Sequence, residues 1–339
     1  MEKSVAVVIL NYNGEPMLAR FLPSVVKNSG GARIVVADNG STDSSAAFVR
    51  ENFPQVQLLE LGENFGFADG YNRALAQVEA EYYVLLNSDV EVTPGWLQPM
   101  LAIMEADEAV VACQPKVLAC NNREYFEYAG ASGGFIDKYG YPYCRGRIFD
   151  TVEKDSGQYD TPCPLFWATG AALMVRSAVF RGVGGLDGTF FAHMEEIDLC
   201  WRINARGGVV MVAPQSVVYH VGGGTLSKSN PRKTYLNFRN NLLLLYKNLP
   251  ADELRSVLRV RRVLDYVAAL KFLLTGAVGD FKAVVKARRD FNAIKESYAE
   301  KRRENIAATK VAPVPGRAGF SLLWRYYALR RKYYSTLGE

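Results

Sequence analysis

The sequence predicts an α/β fold: a mostly parallel sheet with helices on both faces, followed by a basic helical extension. Three observations predict it. Short, continuously apolar runs alternate with amphipathic stretches through the first third of the chain, and strands of that kind are buried on both faces, as in a parallel sheet. Those runs end one after another in Asn, Asp, Ser and Gly, the residue types of turns and helix caps. Charge is divided along the chain. Residues 1–225 hold 16 Lys and Arg against 26 Asp and Glu, whereas residues 226–339 hold 24 against 9. An acidic body with a basic tail points to two tasks and to an anionic partner for the tail.

The elements follow in order. "SVAVVIL" reads as a buried strand and residues 16–27 as a helix. "ARIVVA" is a second strand, and "STDSSAAFVREN" a helix with Ser41 or Thr42 as N-cap. "VQLLEL" and "FADGYNRALAQV" repeat the pattern, as do "YYVLL" and a helix from Pro94 to about Ala106, and "AVVAC" is a fifth strand. Residues 114–165 lose this rhythm and read as Gly- and Tyr-rich loops with short antiparallel strands. "ATGAALMVRSAVF" restores apolar order, "EEIDLCWRINARGG" is a helix ending at a glycine pair, and "VVMVA" is a strand behind it. From Asn230 onward the chain is helical and basic, with a Pro/Ala/Gly linker near "ATKVAPVPGRAG".

Composition narrows the function classes. With 49% apolar and 22% charged residues the chain is globular. Its five cysteines are odd in number and form no C-x-x-C pair, against a disulfide framework or zinc ribbon and in favour of a reducing compartment. The apolar run Val5 to Leu10 lacks the pattern of a signal peptide, so a cytoplasmic location is expected. No G-x-G-x-x-G follows the first strand and no phosphate-binding G-x-x-x-x-G-K-[ST] occurs, which disfavours a dinucleotide enzyme or P-loop NTPase.

Ligands of an open parallel sheet bind outside the carboxyl ends of its strands. Strand one ends in "NYNG", strand two in "DNGSTD" and strand four in "NSD", while "GENFGFADGYN" follows strand three. The sheet therefore gathers Asn11, Asn13, Asp38, Asn64, Asp69, Asn87 and Asp89 on one edge. Taken singly, "DNGSTD" is also an ordinary turn and helix cap, and "ENFGFADG" an ordinary glycine loop.

The segments "VVILNYNG", "VADNGSTD", "ENFGFADGYNRAL", "LLNSDVEV", "WATGAALMVR", "GGLDGTFF", "EEIDLCWRI" and "VYHVGGGT" resemble, in order, glycosyltransferase family 2, and most closely its bacterial rhamnosyltransferase-like branch. The resemblance covers roughly residues 4–248. It implies a GT-A (Rossmann-like) fold, a nucleotide-diphosphate-sugar donor, a divalent cation (Mn2+ or Mg2+) and inversion at the anomeric carbon. Residues 1–115 would form the nucleotide-binding half and 116–248 the acceptor and metal half, with 249–339 a basic helical region.

The resemblance also distributes roles. Asp89 would be the main carboxylate ligand of the metal, although Asn87 stands where many relatives carry a first acidic residue. His220 would be a second ligand. Asp38 would accept from the base or ribose, which suits a uridine or thymidine donor, with Asn11, Asn13, Asn64, Asp69 and Asn87 lining that pocket. Thr169 and Gly170 would sit at the donor–acceptor junction, with Trp167 offering a face to a sugar ring. His193 matches no family position and is a pocket-lining candidate only.

The general base is sought among Glu195, Glu196 and Asp198. Part of that cluster is explained by the favourable N-terminal end of a helix, and Asp198 is placed to pair with Arg202 four residues on. Glu196 is the expected base, with Glu195 as the fallback. A carboxylate crowded by like charges in a buried site has its pKa raised toward working pH.

The tail holds two further features. Residues 264–279 are its most apolar window, interrupted by Lys271 and too short to span a bilayer; it fits either packing on the body or a lipid interface. "FSLLWRYYALRRKYY" interleaves six aromatic with four basic residues, as in a helix at an anionic membrane surface. The expectation is an enzyme peripheral to the inner face of the cell membrane, acting on a glycan or lipid-linked glycan, with no nucleic acid partner. The alternative is a non-catalytic nucleotide-sugar-binding scaffold of a glycan assembly complex.

Overall fold

Strand β1 (Val5–Asn11) shows why the apolar runs are continuous. Ala6 and Val8 point into one core, and Val5, Val7 and Ile9 into a second on the opposite face. Each of the valines and Ile9 contributes about 1.5–3 kcal/mol when fully buried. The computed structural model describes residues 4–222 and 230–338.

Helix α1 (Glu15–Asn28) returns the chain to β2 (Arg33–Asp38), and α2 (Ser45–Asn52) to β3 (Gln57–Glu60). Next come α3 (Gly66–Leu75), β4 (Tyr82–Asn87), the short β5 (Val90–Val92) and α4 (Leu97–Ala106). Pro94 lies in the turn before α4, which starts three residues later than expected. Strand β6 (Val110–Ala119) continues well past the expected "AVVAC". Six short strands follow: β7 (Asn122–Phe126), β8 (Gly134–Ile136), β9 (Pro142–Cys144), β10 (Arg147–Ile148), β11 (Thr151–Val152) and β12 (Cys163–Leu165). Of these, β8 to β11 make a separate four-stranded antiparallel sheet. Then come β13 (Ala172–Arg176), α5 (Ser177–Gly182), α6 (Glu195–Ala205) and β14 (Val209–His220). "VVMVA" and "SVVYH" are thus one strand, with an irregularity between Ala213 and Val217.

The main sheet runs β12-β14-β6-β13-β4-β1-β2-β3. Strands β3, β2, β1 and β4 are parallel neighbours, and β14 is parallel to β6, while β13 lies antiparallel between β4 and β6. The expected mixed α/β architecture with a mostly parallel centre is present.

Four helices complete the described fold: α7 (Pro231–Asn248), α8 (Ala251–Leu274), α9 (Val278–Ile294) and α10 (Ala299–Ala307). A buried ionic network ties α7 and α10 to the body. Lys247 of α7 lies 2.8 Å from both Asp187 and Asp198, and Lys301 of α10 lies 2.8 Å from Asp187. Burial opposes ionisation of Asp187, but these two lysines outweigh it and hold its carboxyl far below the usual range. Lys247→Met leaves Asp187 and Asp198 short of a counter-charge, and a loss of about 3 kcal/mol is expected, read as a lower urea midpoint at unchanged slope.

The terminal aromatic and basic segment departs from the expected interfacial helix. It forms no continuous helix, only short helical turns at Trp324–Ala328 and Tyr334–Thr336. Phe320, Tyr326 and Tyr334 pack on Tyr143, Phe149 and Phe135 of the small sheet region, while Trp324, Tyr327 and Tyr333 are exposed. Tyr327, though exposed, also stacks on Phe149, so four of the six aromatics serve packing.

Candidate active site

Parallel register places the strand ends together: Asn11 pairs with Asp38 across β1 and β2, and Leu10 with Asn87 across β1 and β4. Asn11 Nδ2 donates to Asp38 Oδ1 at 3.3 Å and to Ser41 Oγ at 3.2 Å, while the Ser41 amide donates to Asp38 Oδ2 at 2.9 Å. Asn13, at φ +50°, accepts from the Thr42 amide at 2.7 Å. These loops hold one another in place. What they leave over is Asn11 Oδ1, buried without a hydrogen-bond partner.

The third loop joins through Asn39, which sequence reasoning passed over as a turn residue. Its buried amide donates to Asn64 Oδ1 at 3.3 Å and to the Gly66 carbonyl at 3.0 Å, and accepts from the Phe65 amide. Asn64 in turn accepts from the Gly66 amide at 2.9 Å. Asp69, in the first turn of α3, lies so close to Gly188 that a Cβ there would fall 2.0 Å from its Oδ1. The glycine of "GGLDG" is required by this approach.

Asp89 follows β4. Antiparallel pairing of β5 with β14 sets Val90 opposite His220, which brings together two residues 131 positions apart: His220 Nε2 lies 3.1 Å from Asp89 Oδ1. On the far side of the ring, Nδ1 lies 3.3 Å from Glu127 Oε2. All three side chains are buried. Burial works against a charge on His220, but the two carboxylates outweigh it and push its pKa up to about 10. Glu127 was not among the expected residues. It follows β7 in the stretch without periodicity, and no local signal marks it. Gly222, at φ +71°, closes over it, since a Cβ there would meet Glu127 Oε1 at 2.6 Å. The last residues of "VYHVGGGT", 223–225, lie outside the described residues.

Helix α6 begins at Glu195 after an unusual backbone run. Phe191, His193 and Met194 have φ of +64°, +71° and +76°, conformations that cost non-glycine residues on the order of 1–3 kcal/mol each. One buried side chain of α7 holds them: Asn240 Nδ2 lies within 2.9 Å of the carbonyls of Phe190, Ala192 and His193. Within "NFRNNLLLL" this asparagine reads as part of an ordinary helix face, so nothing in the sequence flagged it. Asn240→Ala strands those carbonyls and releases the loop. It is expected to destabilise the fold by about 2 kcal/mol and to lower transfer to acceptor about tenfold more than donor hydrolysis, measured side by side.

Glu195 Oε2, Glu196 Oε2 and His193 Nε2 are buried without hydrogen-bond partners. Burial pushes the Glu196 carboxyl up to about 7, and burial together with the Glu196 and Asp198 charges pushes Glu195 well above the usual range. Burial also drives His193 down to about 4, so its ring is neutral. Asp198 behaves differently: burial is outweighed by Arg202 and Lys247, which lower its pKa, and it pairs with Arg202 Nε at 2.9 Å as expected.

Gly170 lies between α3 and α6. A Cβ on it would lie 3.3 Å from the Phe67 ring of α3 and 3.8 Å from Glu196 Cβ. Thr169 is buried and committed, donating to the Ala129 carbonyl at 2.5 Å. Trp167 is a correction. It was expected to present a face to a sugar, but it is buried, donates to the Phe135 carbonyl at 2.9 Å and packs flush on Gly134, so its ring serves the junction with the small sheet.

Comparison with known proteins bears on the family and the fold. Residues 6–163 match the model of "Glycosyl transferase family 2", a span that includes Asp38 and Asp89 and stops before Glu195. An N-acetylglucosaminyl-diphospho-decaprenol L-rhamnosyltransferase of Mycobacterium tuberculosis is 27% identical over 236 residues, covering 65% of this chain and 76% of the relative. A low-salt glycan biosynthesis hexosyltransferase, Agl10, of Haloferax volcanii is 23% identical over 253 residues, 72% of this chain and 76% of the relative. Among solved structures, GalNAc-T7 with UDP, GalNAc and Mn2+ superposes with a TM-score of 0.61 at 18% identity, over 86% of this chain and 55% of that one. Staphylococcus aureus TarS 1–349 in complex with UDP-GlcNAc gives 0.56 at 15% identity, over 90% and 89%. These likenesses match residues 6–163 to glycosyltransferase family 2 and, with the sheet order and the loops at its carboxyl edge, give the chain the GT-A fold.

Proposed function

We propose that this glycosyltransferase is inverting and metal-dependent, and that it moves a sugar, with rhamnose favoured, from a dTDP- or UDP-sugar to a hydroxyl of a glycan or lipid-linked glycan in cell-surface polysaccharide synthesis. The observation that carries the reading is the meeting of Asp89 and His220 at 3.1 Å, just beyond β4 and at the end of β14. Glu195 Oε2 and Glu196 Oε2, buried without hydrogen-bond partners at the start of α6, support it, with Glu196 Cβ beside Gly170.

The donor set fits a divalent cation. Among the described residues no cluster of three or more His, Cys, Asp and Glu side chains encloses a metal site; Asp89 and His220 Nε2 would hold the ion once the imidazolium gives up its Nε2 proton. Glu127 on Nδ1 is the carboxylate partner that commonly orients a metal-ligating imidazole. When bound, the cation supplies Lewis-acid neutralisation of the departing diphosphate. Support for a cation also comes from the solved neighbours crystallised with Mn2+.

In this mechanism Glu196 accepts the proton of the acceptor hydroxyl. The freed oxygen forms a bond to the anomeric carbon from the face opposite the leaving group, and the bond to the diphosphate oxygen breaks with its electron pair. Asp38 with Asn11 receives the base or ribose, while Asn13, Asn64 and Asn39 brace the loops around it. Rhamnose and a lipid-linked acceptor are favoured by the mycobacterial relative's own specificity. Residues 1–115 act as the nucleotide half, 116–248 as the acceptor and metal half, and the helical region 249–339 as contact with the cytoplasmic face of the cell membrane.

The test is release of nucleoside diphosphate from a panel of UDP-, dTDP- and GDP-sugars with Mn2+ or Mg2+, then with chelator. Metal-dependent release from one donor is expected. Silence across the panel, together with no nucleotide binding by calorimetry, would overturn the proposal.

A further inference from the structure

Helix α8 is built inside out. Its inward face carries charge: Arg261 and Asp265 are buried, paired with each other at 3.1 Å, and Asp265 is paired also with the buried Arg288 of α9. Arg261 further donates to the Tyr139 carbonyl at 2.9 Å. Its outward face is hydrocarbon. Val263, Val267, Leu270 and Leu274 are 63%, 60%, 53% and 78% exposed, and their spacing of four, three and four residues puts them in one stripe. Tyr266 and Leu273 lie beside it, and Val278 and Val285 extend it onto α9. Scattered exposed apolar residues are ordinary, but a continuous stripe over a charged inner face is not.

The rim identifies what covers it. Arg255, Arg259 and Arg262 lie on one flank of the stripe and Lys271 on the other, all exposed, with Lys282 exposed on α9, where the exposed Lys286 and Arg289 share Asp290. From Leu254 to Leu274 the only carboxylate is the buried Asp265. A second copy of this chain would bring basic flank against basic flank along the stripe, because the other carboxylates of the helix, Asp252 and Glu253, lie in its first turn before the stripe begins. An anionic lipid surface matches both parts, taking the stripe into its acyl boundary and the rim among its headgroups. No helix among the described residues is long and apolar enough to cross a membrane.

We infer that the outward face of the α8–α9 hairpin, rather than the terminal aromatic segment, is the surface by which the protein docks on anionic membranes, lying in the interface plane. The inference deepens the membrane part of the proposed function and rests on it.

The experiment is sedimentation of the full chain with vesicles of phosphatidylcholine alone and of phosphatidylcholine mixed with phosphatidylglycerol, at low and high salt. Val267→Ser/Leu270→Ser/Leu274→Ser is compared with Trp324→Ser/Tyr327→Ser, and donor hydrolysis in vesicle-free solution is followed for each. The expected result is preference for the anionic vesicles, weakened by salt. Partitioning of the hairpin variant falls roughly a hundredfold, while the terminal variant partitions as wild type and both hydrolyse donor normally. Failure of the wild type to sediment, an undiminished hairpin variant, or an equal loss in the terminal variant overturns the inference, as does a wild-type dimer in solution that the hairpin variant dissolves. Absence of donor hydrolysis with lipid binding intact would count against the catalytic reading alone.

Discussion

Asp89→Ala is expected to lower metal-dependent release of nucleoside diphosphate about a thousandfold, because the carboxylate is the charged half of the proposed cation site and charge on the diphosphate peaks in the transition state. The variant also leaves buried His220 without the carboxylate 3.1 Å from its Nε2. Turnover alone would confound these effects, so the decisive readout is Mn2+ affinity in the presence of UDP, by paramagnetic resonance or calorimetry. Glu127→Gln should weaken Mn2+ by about 10–100-fold while leaving both proposed ligands in place. Loss of turnover in Asp89→Ala also separates a transferase from a binding scaffold, which has no turnover to lose. Unchanged Mn2+ affinity in both variants would remove the cation from this site.

The second large effect is on the pH profile. A general base works only as its carboxylate, and burial raises the Glu196 pKa to about 7. Turnover with acceptor is therefore expected to rise as pH passes through about 7 and level off above it. Glu196→Gln should abolish that rise and cost about 100-fold to 10,000-fold in kcat. Stability should move the other way. The unfolded chain gives up this proton near the ordinary 4.5, whereas the folded chain keeps it to about 7. Between those values the folded state binds more protons, so stability falls as pH rises. Glu196→Gln removes the penalty and should melt later than wild type above pH 7, by scanning calorimetry. If Glu195→Gln is the variant that loses both activity and the inflection, the base is Glu195.

Much of this fold was legible because strands buried on both faces have little choice of residue, and the runs at Val5, Arg33 and Tyr82 announce themselves. The carboxyl-edge loops were legible for the same local reason, since each turn needs its own Asn, Asp or Gly. The rest depends on contacts distant in sequence. Glu127 meets His220 only because β6, β7 and β14 adjoin, and Asn240 reaches the loop before α6 from 47 or more residues away. Trp167 looked like a sugar platform because an aromatic beside a Thr-Gly pair is the same string whether its ring faces a pocket or Gly134. The apolar window at 264–279 was visible, but hydropathy does not say which way a helix turns. Here the buried Arg261–Asp265–Arg288 group decided it.

The small antiparallel sheet has a further consequence for how the chain is made. Its strands are complete by Val152, yet the residues that cover it arrive much later. The Ala318 amide donates to the Ile136 carbonyl at 2.8 Å, and the Leu322 amide to Asp137, 185 residues earlier, at 2.8 Å. During synthesis the ribosome releases Phe135, Tyr143 and Phe149 long before Phe320, Tyr326 and Tyr334 exist to shield them. Loops of that length close slowly, so the nascent chain carries an aromatic face in search of a partner until elongation is nearly done. Holding chaperones should engage it there, and ribosomes stalled before residue 317 should display a protease-sensitive region 134–152 that full-length chains protect.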